Sequence, residues 1–327
     1  MSGSAGLVAL PIASAALAFA LALAWRGWAL RRGVVDQPDA RRLHTRPTPR
    51  GGGIGIFLVL LAASAWLGDA GTAFALGLAL CAGAGLADDL RPLRPAAKFG
   101  LQALGTACLA WQLPLLPALW GPVAGFALAW LGALALVNAW NFMDGSNGLA
   151  TTQAALAALG LALLAPGSAP AGLLAVVLAA ACLGFLPLNF PRARLFLGDV
   201  GSHALGYAVA ALLLLAAPEA RGWAAALLLL PISAMGLDAT LTLGARALRG
   251  QVLWQAHREH LYQRAVAHGW SHARVCLAYA AWTSAAGLLA LWLATRPPAW
   301  QLAGSAGVLG FGIITYSLIG RAWPRQA

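Results

Sequence analysis

The chain has 327 residues, of which 61% are hydrophobic and only 9% are charged. A water-soluble domain carries about 25% charged residues, so this composition excludes a soluble globular protein of this length. The formal net charge of +11 does not indicate nucleic-acid binding, because the basic residues lie in short loops between long apolar runs rather than on a polar domain.

The apolar runs predict eleven membrane-spanning helices and thus an all-α polytopic membrane protein, with a single domain over 1–327. Many runs approach the ~17–25 residues that a helix needs to cross a bilayer, and none alternates as a barrel strand would. The first run is interpreted as a retained span rather than a signal peptide, because arginines follow it instead of preceding it. The predicted spans are 5–25, 53–68, 73–87, 98–113, 122–138, 149–165, 172–188, 203–217, 223–245, 274–295 and 301–320.

The charges are distributed asymmetrically between the loops. All 21 lysines and arginines except Arg221 and Arg296 fall in alternate loops, which predicts that these loops are cytoplasmic, with a periplasmic N-terminus and a cytoplasmic C-terminus. Of the ten acidic residues, Asp69 and Glu219 lie in the opposite loops and Asp238 lies inside a span. This clustering indicates an active surface on the cytoplasmic face, although the larger size of the cytoplasmic loops is an alternative explanation.

Two adjacent carboxylates, Asp88 and Asp89, end the third predicted span. They repel each other and are costly near lipid unless a positive group neutralises them. A divalent cation with a diphosphate substrate would do so, and so would the nearby Arg91 or Lys98. Both carboxylates are therefore candidate catalytic residues, and the alternative is a solvated helix end.

Two further cytoplasmic segments combine asparagine, aspartate and glycine. The first contains Asn141, Asp144 and Asn147, and the second contains Asn189 and Asp199, with Asp199 in a glycine-rich turn. Mg²⁺ in proteins prefers one or two carboxylates together with phosphate oxygens and water, which both segments could offer. The alternatives are that Asn147 and Asp199 simply cap the helices that follow them.

Two basic segments complete the candidate site. His257 and His260 lie three residues apart, so on a helix they would share a face with Arg258 near them. Zinc is not favoured because no third nitrogen or sulfur ligand is near in sequence, whereas His and Arg suit phosphate oxygens. An amphipathic surface helix is the alternative. The loop that contains His44 and Arg50 is also suited to phosphate, or serves only to orient the first spans.

Five stretches, in chain order, resemble the polyprenyl-phosphate N-acetylhexosamine-1-phosphate transferases, a family of the bacterial inner membrane. The stretches are DQPDARRLHTRPTPRGGGIGI, GLADDLRPLRPAAKFGLQ, NAWNFMDGSNGLA, NFPRARLFLGDVGSHALGY and AHREHLYQR. The resemblance implies transfer of an N-acetylated sugar-1-phosphate from a UDP-sugar to undecaprenyl phosphate, with release of UMP. It also implies Mg²⁺ or Mn²⁺ as cofactor, and a homodimer is plausible on the same ground.

The resemblance also implies roles for individual residues. Asp199 would bind the metal directly with Asp144 beside it, and Asp88 and Asp89 would orient the lipid phosphate, with Asp88 as the proposed base. The matched positions expected to bind substrate are His44, Arg50, Arg91, Lys98, Asn141, Asp144, Asn147, Asn189, His257, Arg258 and His260.

The chain departs from the family pattern at two places. The family often has aspartate at the position of Asn147, and its common HLHHR run reads His260-Leu261-Tyr262-Gln263-Arg264 here. The second departure resembles the branch that initiates O-antigen, which implies the first membrane step of O-antigen or related glycan synthesis.

Two other classes are considered. A multi-span transporter of a lipid-linked or phosphorylated sugar would place its polar residues near the bilayer midplane, whereas here nearly all lie at helix ends. An alcohol phosphotransferase would carry a DG-x2-DG-x2-AR signature, which is absent from the sequence. Asp238 remains open between a functional role and an internal pairing with a basic group.

Overall fold

The computed structural model describes residues 4–37, 46–220, 222–252, 255 and 257–323. This part of the chain is almost entirely helical, with one antiparallel pair of two-residue strands, β1 (Val35–Asp36) and β2 (Thr48–Pro49). The α-helices are α1 (Ser4–Arg32), α2 (Ile54–Ala63), α3 (Gly71–Leu90), α4 (Pro95–Gln112), α5 (Pro117–Phe142), α6 (Leu149–Leu164), α7 (Ala169–Asn189), α8 (Gly198–Ala216), α9 (Ser233–Leu248), α10 (Leu261–Ala267), α11 (His272–Ala294) and α12 (Pro298–Ala322).

The structure confirms the all-α polytopic class. Within the described residues, seven helices are long and apolar enough to cross a membrane, namely Val8–Arg32, Gly68–Leu90, Gly121–Phe142, Ala169–Asn189, Gly198–Ala216, His272–Ala294 and Pro298–Ala322. Two further apolar helices, Ile54–Trp66 and Leu149–Leu164, are shorter. The number of eleven spans therefore stays a prediction, as does the single domain over 1–327.

The predicted continuous span over 223–245 is wrong. The segment contains a 3₁₀-helix, Gly222–Leu229, and then α9, which begins at Ser233. Pro231 lies in the break between them. A proline inside an α-helix removes a backbone donor, and its ring clashes with the carbonyl four residues earlier, which favours a break of the helix at this point.

Helix α8 lies at the centre of the bundle and packs against α3 and α5. All of its residues except Gly198, Asp199 and Leu213 are buried, as expected of a helix that is apolar on every side. Small residues allow close packing. A side chain at Gly85 of α3 would collide with the backbone carbonyl of Asp199, and one at Gly206 would lie 2.7 Å from the Leu136 carbonyl oxygen of α5.

Helix direction gathers the acidic residues at one end of the bundle. Asp69 lies two residues before α3 and Asp88 lies in its last turn, so its 20 residues separate the two carboxylates by about 30 Å. Helix α8 runs from Asp199 towards Glu219, and its first turn is hydrogen bonded to the last turn of α3. The end with Asp88 and Asp199 is therefore opposite the end with Asp69 and Glu219.

We expect Gly85→Ala to destabilise the protein, because overpacking between helices typically costs about 1–3 kcal/mol. The matched control is Gly83→Ala in the same helix, where an added methyl group meets no atom within 4 Å. Thermal melting in detergent should show a lower midpoint for Gly85→Ala and no loss for Gly83→Ala. Equal midpoints would show that α3 and α8 are not in tight contact at this point.

Candidate active site

The N-terminus of α8 is held by a glycine-rich loop that lies about 150 residues earlier in the sequence. The N–H of Gly52 donates to the carbonyl of Phe196 at 2.9 Å, and that of Gly53 donates to Leu197 at 2.8 Å. In return, the N–H of Phe196 donates to Pro49 at 2.8 Å. These bonds bring Arg50 to the start of α8. Glycine is needed in the loop because a side chain at Gly53 would collide with the backbone of Gly201 in α8.

Asp89 is buried, and its carboxylate accepts hydrogen bonds from the backbone of α8. Its two oxygens receive the N–H of Asp199 at 3.2 Å and that of Val200 at 3.1 Å. The first N–H groups of a helix have no partner within the helix, and a negative charge at this end is favourable. Gly198, with φ of 76°, leaves no room for a side chain beside Asp89. Asp89 thus orients the helix that carries Asp199.

The Asp199 carboxylate points away from its own helix and contacts two neighbouring helices. One oxygen lies 2.7 Å from the Lys98 ammonium of α4, and the other accepts from the Asn141 amide of α5 at 3.1 Å. Lys98 also lies 3.3 Å from Asp88, whose other oxygen accepts from the Leu93 N–H at 2.8 Å. The site is therefore a charged cluster shared by α3, α4, α5 and α8.

The alternative that Asp199 is a simple helix cap is wrong. Helix α8 begins at Gly198, with Leu197 in the capping position and no side-chain cap. Asp199 lies inside the first turn, where its side chain is free to reach other helices. The local sequence suits a cap, but the contacts with α4 and α5 decide the direction of the carboxylate.

A second, uncharged polar layer lies one helical turn deeper. The Asn138 amide donates to Gln102 Oε1 at 3.1 Å, so the Gln102 nitrogen must donate to His203 Nε2, 3.0 Å away. The remaining His203 nitrogen, Nδ1, then carries the proton and donates to the Cys81 carbonyl at 3.0 Å. The Gln102 amide and both His203 nitrogens are thus paired, as buried groups require.

The second layer was missed at the sequence level, although a signal for it exists. Gln102 and His203 are polar residues inside apolar spans, and such residues are seldom without a role. The two layers use the same three helices at helical spacing: Lys98 and Gln102 on α4, Asp199 and His203 on α8, and Asn138 and Asn141 on α5.

Asp144 lies in the turn between α5 and α6, close to the charged cluster. Burial, and then the negative charges of Asp199 and Asp89, raise the pKa of the Asp144 carboxyl well above its usual range. Within the described residues, no group donates a hydrogen bond to this carboxylate. A partly buried carboxylate beside other carboxylates, without a donor of its own, has the character of a ligand for a divalent cation.

Two predicted asparagines hold this turn in place. Asn189 is 4% exposed, accepts from the Gly148 N–H at 2.7 Å, and donates to the Leu195 carbonyl at 3.0 Å. The Asn147 amide donates to the Pro191 carbonyl at 3.2 Å. The expectation that Asn147 caps the next helix is wrong, because Gly148 occupies that position in a left-handed conformation.

The two histidines of the basic motif do not share a helical face, contrary to the prediction. Residues 257–260 form no helix, and α10 begins at Leu261. His260 is 2% exposed, with Nδ1 3.5 Å from an oxygen of Asp238 and its ring stacked on Phe142. The alternative of an amphipathic surface helix is also wrong, since α10 has only seven residues and packs into the protein.

His257 is only partly buried and lies 4.9 Å from His260, measured between ring centroids. Burial, together with the neighbouring His260 and Arg246, lowers the pKa of His257 to about 4. Its imidazole is therefore neutral near pH 7 and can act as a hydrogen-bonding group there without carrying a charge.

Asp238 anchors α10 from within the bundle. Its carboxylate is 3% exposed and accepts from the N–H groups of Leu261 at 2.8 Å and Tyr262 at 3.2 Å. The Tyr279 hydroxyl donates to it at 2.6 Å. The question left open for Asp238 is thus answered in part: it pairs with backbone amides, hydroxyl groups and His260.

The remaining predicted substrate-binding residues, three arginines and one histidine, differ in position. Arg50 donates to the Asp89 carbonyl at 3.0 Å and lies beside the cluster. Arg91 is exposed, and its side chain makes no hydrogen bond or ion pair with a described residue. Arg258 is partly buried, and His44 lies outside the described residues.

Comparison with known proteins identifies the family. The model of glycosyl transferase family 4 matches residues 62–217, which include the whole charged cluster. A decaprenyl-phosphate N-acetylglucosaminephosphotransferase of Mycobacterium tuberculosis is 33% identical, over 78% of this chain and 74% of the relative. The chain belongs to the polyprenyl-phosphate hexosamine-1-phosphate transferases.

Other members of the family are similarly related. A probable undecaprenyl-phosphate N-acetylglucosaminyl 1-phosphate transferase of Bacillus subtilis is 31% identical, over 75% of this chain and 73% of the relative. A phospho-N-acetylmuramoyl-pentapeptide-transferase of Synechococcus is 37% identical, over 62% of this chain and 66% of the relative. The protein is therefore a membrane-embedded transferase of phosphosugars to polyprenyl phosphate, which favours the enzyme over the transporter. The O-antigen branch stays a prediction.

We expect Asp89→Asn to lower the thermal stability of this transferase more than Asp88→Asn does. In Asp89→Asn, the new side-chain NH₂ group would face a backbone N–H donor of α8, so that neither donor has an acceptor. An unsatisfied buried group costs about 1–3 kcal/mol. Asp88 is 21% exposed, and its asparagine variant keeps an oxygen for the Leu93 N–H. Melting curves in detergent measure the difference, and an equal loss in both variants would contradict the anchoring role.

Proposed function

We propose that this transferase moves an N-acetylated sugar-1-phosphate from a UDP-sugar to undecaprenyl phosphate in the bacterial inner membrane. The products are undecaprenyl-diphosphate-sugar and UMP, as in the first membrane step of O-antigen or related envelope glycan synthesis. The named relatives support a polyprenyl phosphate acceptor. The bias of lysine and arginine between the loops supports a cytoplasmic active site, a periplasmic N-terminus and a cytoplasmic C-terminus.

The observation that carries this proposal is the charged cluster of Asp88, Lys98 and Asp199. Lys98 lies between the two carboxylates, at 3.3 Å and 2.7 Å, and all three side chains are about one quarter exposed. Phosphoryl transfer depends mainly on positioning and on neutralising phosphate charge. A partly open cluster of this kind at the helix ends can meet both a lipid phosphate and a soluble nucleotide.

A divalent cation fits the cluster. Asp199 and Asp144 would hold it, because both carboxylates are near one another and Asp144 has no donor among the described residues. No group of three or more His, Cys, Asp or Glu side chains is placed to bind a metal within those residues. The two carboxylates would therefore hold the ion together with phosphate oxygens and water, ligands that Mg²⁺ accepts. The bound ion, Mg²⁺ or Mn²⁺, would neutralise the diphosphate of the donor.

The acceptor needs little help from a general base. A phosphate monoester has a second pKa of about 6, so it is mostly a dianion near pH 7. Asp88 and Lys98 would therefore orient the lipid phosphate rather than remove a proton from it. An oxygen of this phosphate attacks the β-phosphorus of the UDP-sugar, the bond to the UMP oxygen breaks, and UMP leaves. Direct attack is favoured over an aspartyl intermediate, because both Asp88 and Asp199 are already bound by Lys98.

The donor would be bound around this cluster by the exposed and partly exposed members of the motifs. Asn141, Asn147, His257 and Arg258 offer hydrogen bonds to the nucleotide and sugar, and Arg50 and Arg91 offer charge to the phosphates. The buried amide of Asn189 is already engaged by backbone groups, so it would shape the site from beneath.

Purified protein should release UMP from a UDP-N-acetyl sugar only when undecaprenyl phosphate and Mg²⁺ are both present. A panel of UDP-sugars in the same assay identifies the donor. Asp199→Asn should lower turnover by about 100-fold or more, as expected when a group that stabilises transferred charge is removed. The matched control is Asp69→Asn at the opposite end of the bundle, which should keep its activity. Full metal-dependent turnover by Asp199→Asn would overturn the proposal.

The pH dependence of Asp88→Asn tests the role of Asp88. If Asp88 orients the acceptor, raising the pH to about 9 should not restore the lost activity, because the phosphate is already ionised near pH 7. Initial rates of UMP release between about pH 6 and 9 provide the measurement. Recovery at high pH would instead show that Asp88 acts as a general base.

A further inference from the structure

Tyr262 connects the basic motif to the turn that carries Asp144. Its side chain is 1% exposed, and its hydroxyl donates to the Phe142 carbonyl at 3.1 Å. A side chain at Gly145 would collide with this hydroxyl, so the ring lies directly against the turn. The contacts at Phe142 and Gly145 lie on either side of Asp144 in the sequence.

The other end of Tyr262 is also fixed. Its backbone N–H donates to Asp238 at 3.2 Å, and Asp238 is buried and bound by Tyr279 as well. The ring of His260, two residues earlier, stacks on Phe142 with 6.1 Å between ring centroids. Tyr262 is thus held between a buried carboxylate of α9 and the end of α5.

We propose that Tyr262 is a positioning residue for the metal ligand Asp144, an inference that rests on the proposed role of Asp144 in holding the divalent cation. No described residue donates a hydrogen bond to the Asp144 carboxylate, so its place depends on the conformation of the turn. The Tyr262 hydroxyl holds the turn at Phe142 and Gly145, whereas Asn189 holds it at Gly148.

This arrangement links two parts of the site. The segment with His257 and His260 leads directly into α10, and Tyr262 is the second residue of that helix. Donor binding at the segment and metal binding at the turn therefore share one buried side chain.

The test is Mn²⁺ binding to the purified, full-length protein, followed by the electron paramagnetic resonance signal of the free ion. Tyr262→Phe should weaken Mn²⁺ binding by about fivefold, the ratio that corresponds to one lost hydrogen bond of ~1 kcal/mol. The matched control is Tyr207→Phe, because the Tyr207 hydroxyl is also buried and donates to a backbone carbonyl, that of Ala73 at 3.3 Å. This control should bind Mn²⁺ like the unaltered protein.

Gly145→Ala provides an independent variant. Its methyl group should displace the Tyr262 hydroxyl and weaken Mn²⁺ binding by a similar factor. In the Tyr262→Phe background the same change should add much less, because residues in contact give non-additive effects. Thermal melting identifies any variant that is merely unfolded.

The outcomes separate this inference from the proposed function. Unchanged Mn²⁺ affinity in Tyr262→Phe, or equal weakening in Tyr207→Phe, would overturn the positioning role alone. Absence of Mn²⁺ binding to the unaltered protein would overturn the metal site and this inference together. Selective weakening in Tyr262→Phe and in Gly145→Ala would support the inference.

Discussion

The active site depends on one buried carboxylate at the start of the central helix. Asp89 accepts the N–H groups of Asp199 and Val200 and so joins the last turn of α3 to the first turn of α8. A buried charge is costly unless it is well paired, and here helix amides and the nearby Arg50 provide the pairing. Because Asp199 is one of the two residues held, this contact fixes its backbone, and Lys98 and Asn141 then decide the direction of its carboxylate.

Two polar layers extend from this anchor into the bundle. The outer layer is charged and partly exposed, with Lys98 between Asp88 and Asp199. The inner layer, formed by Gln102, His203 and their partners, is neutral and fully paired. Hydrogen bonds in a low-dielectric interior are strong and unpaired groups are costly. The inner layer therefore fixes the register of the helices, whereas the outer layer keeps groups available for phosphate and metal.

A second buried carboxylate, Asp238, anchors the part of the site that contains the basic motif with His257 and His260. Asp238 accepts the first N–H groups of α10, as Asp89 does for α8. Each carboxylate comes from a long helix and holds the start of a helix that follows a functional loop. The two halves meet at the end of α5, where Asn141 contacts Asp199 and the Phe142 carbonyl accepts from Tyr262. Only 9% of the residues are charged, yet two of them, Asp89 and Asp238, hold the irregular loops before α8 and α10 at defined positions.

The sequence alone determined the membrane class, the motifs and the family, because composition, the length of apolar runs and the order of motifs can be read without the fold. It could not distinguish between neighbours such as Asp88 and Asp89, of which one is partly exposed and the other is buried under α8. It also did not reveal the break at Pro231, the burial of His260 or the layer beneath Lys98. The break at Pro231 is a local effect of the proline ring. The other two features arise from contacts between residues about one hundred positions apart, such as Gln102 with His203 and Phe142 with His260, and only the packing of the helices decides which side chains meet.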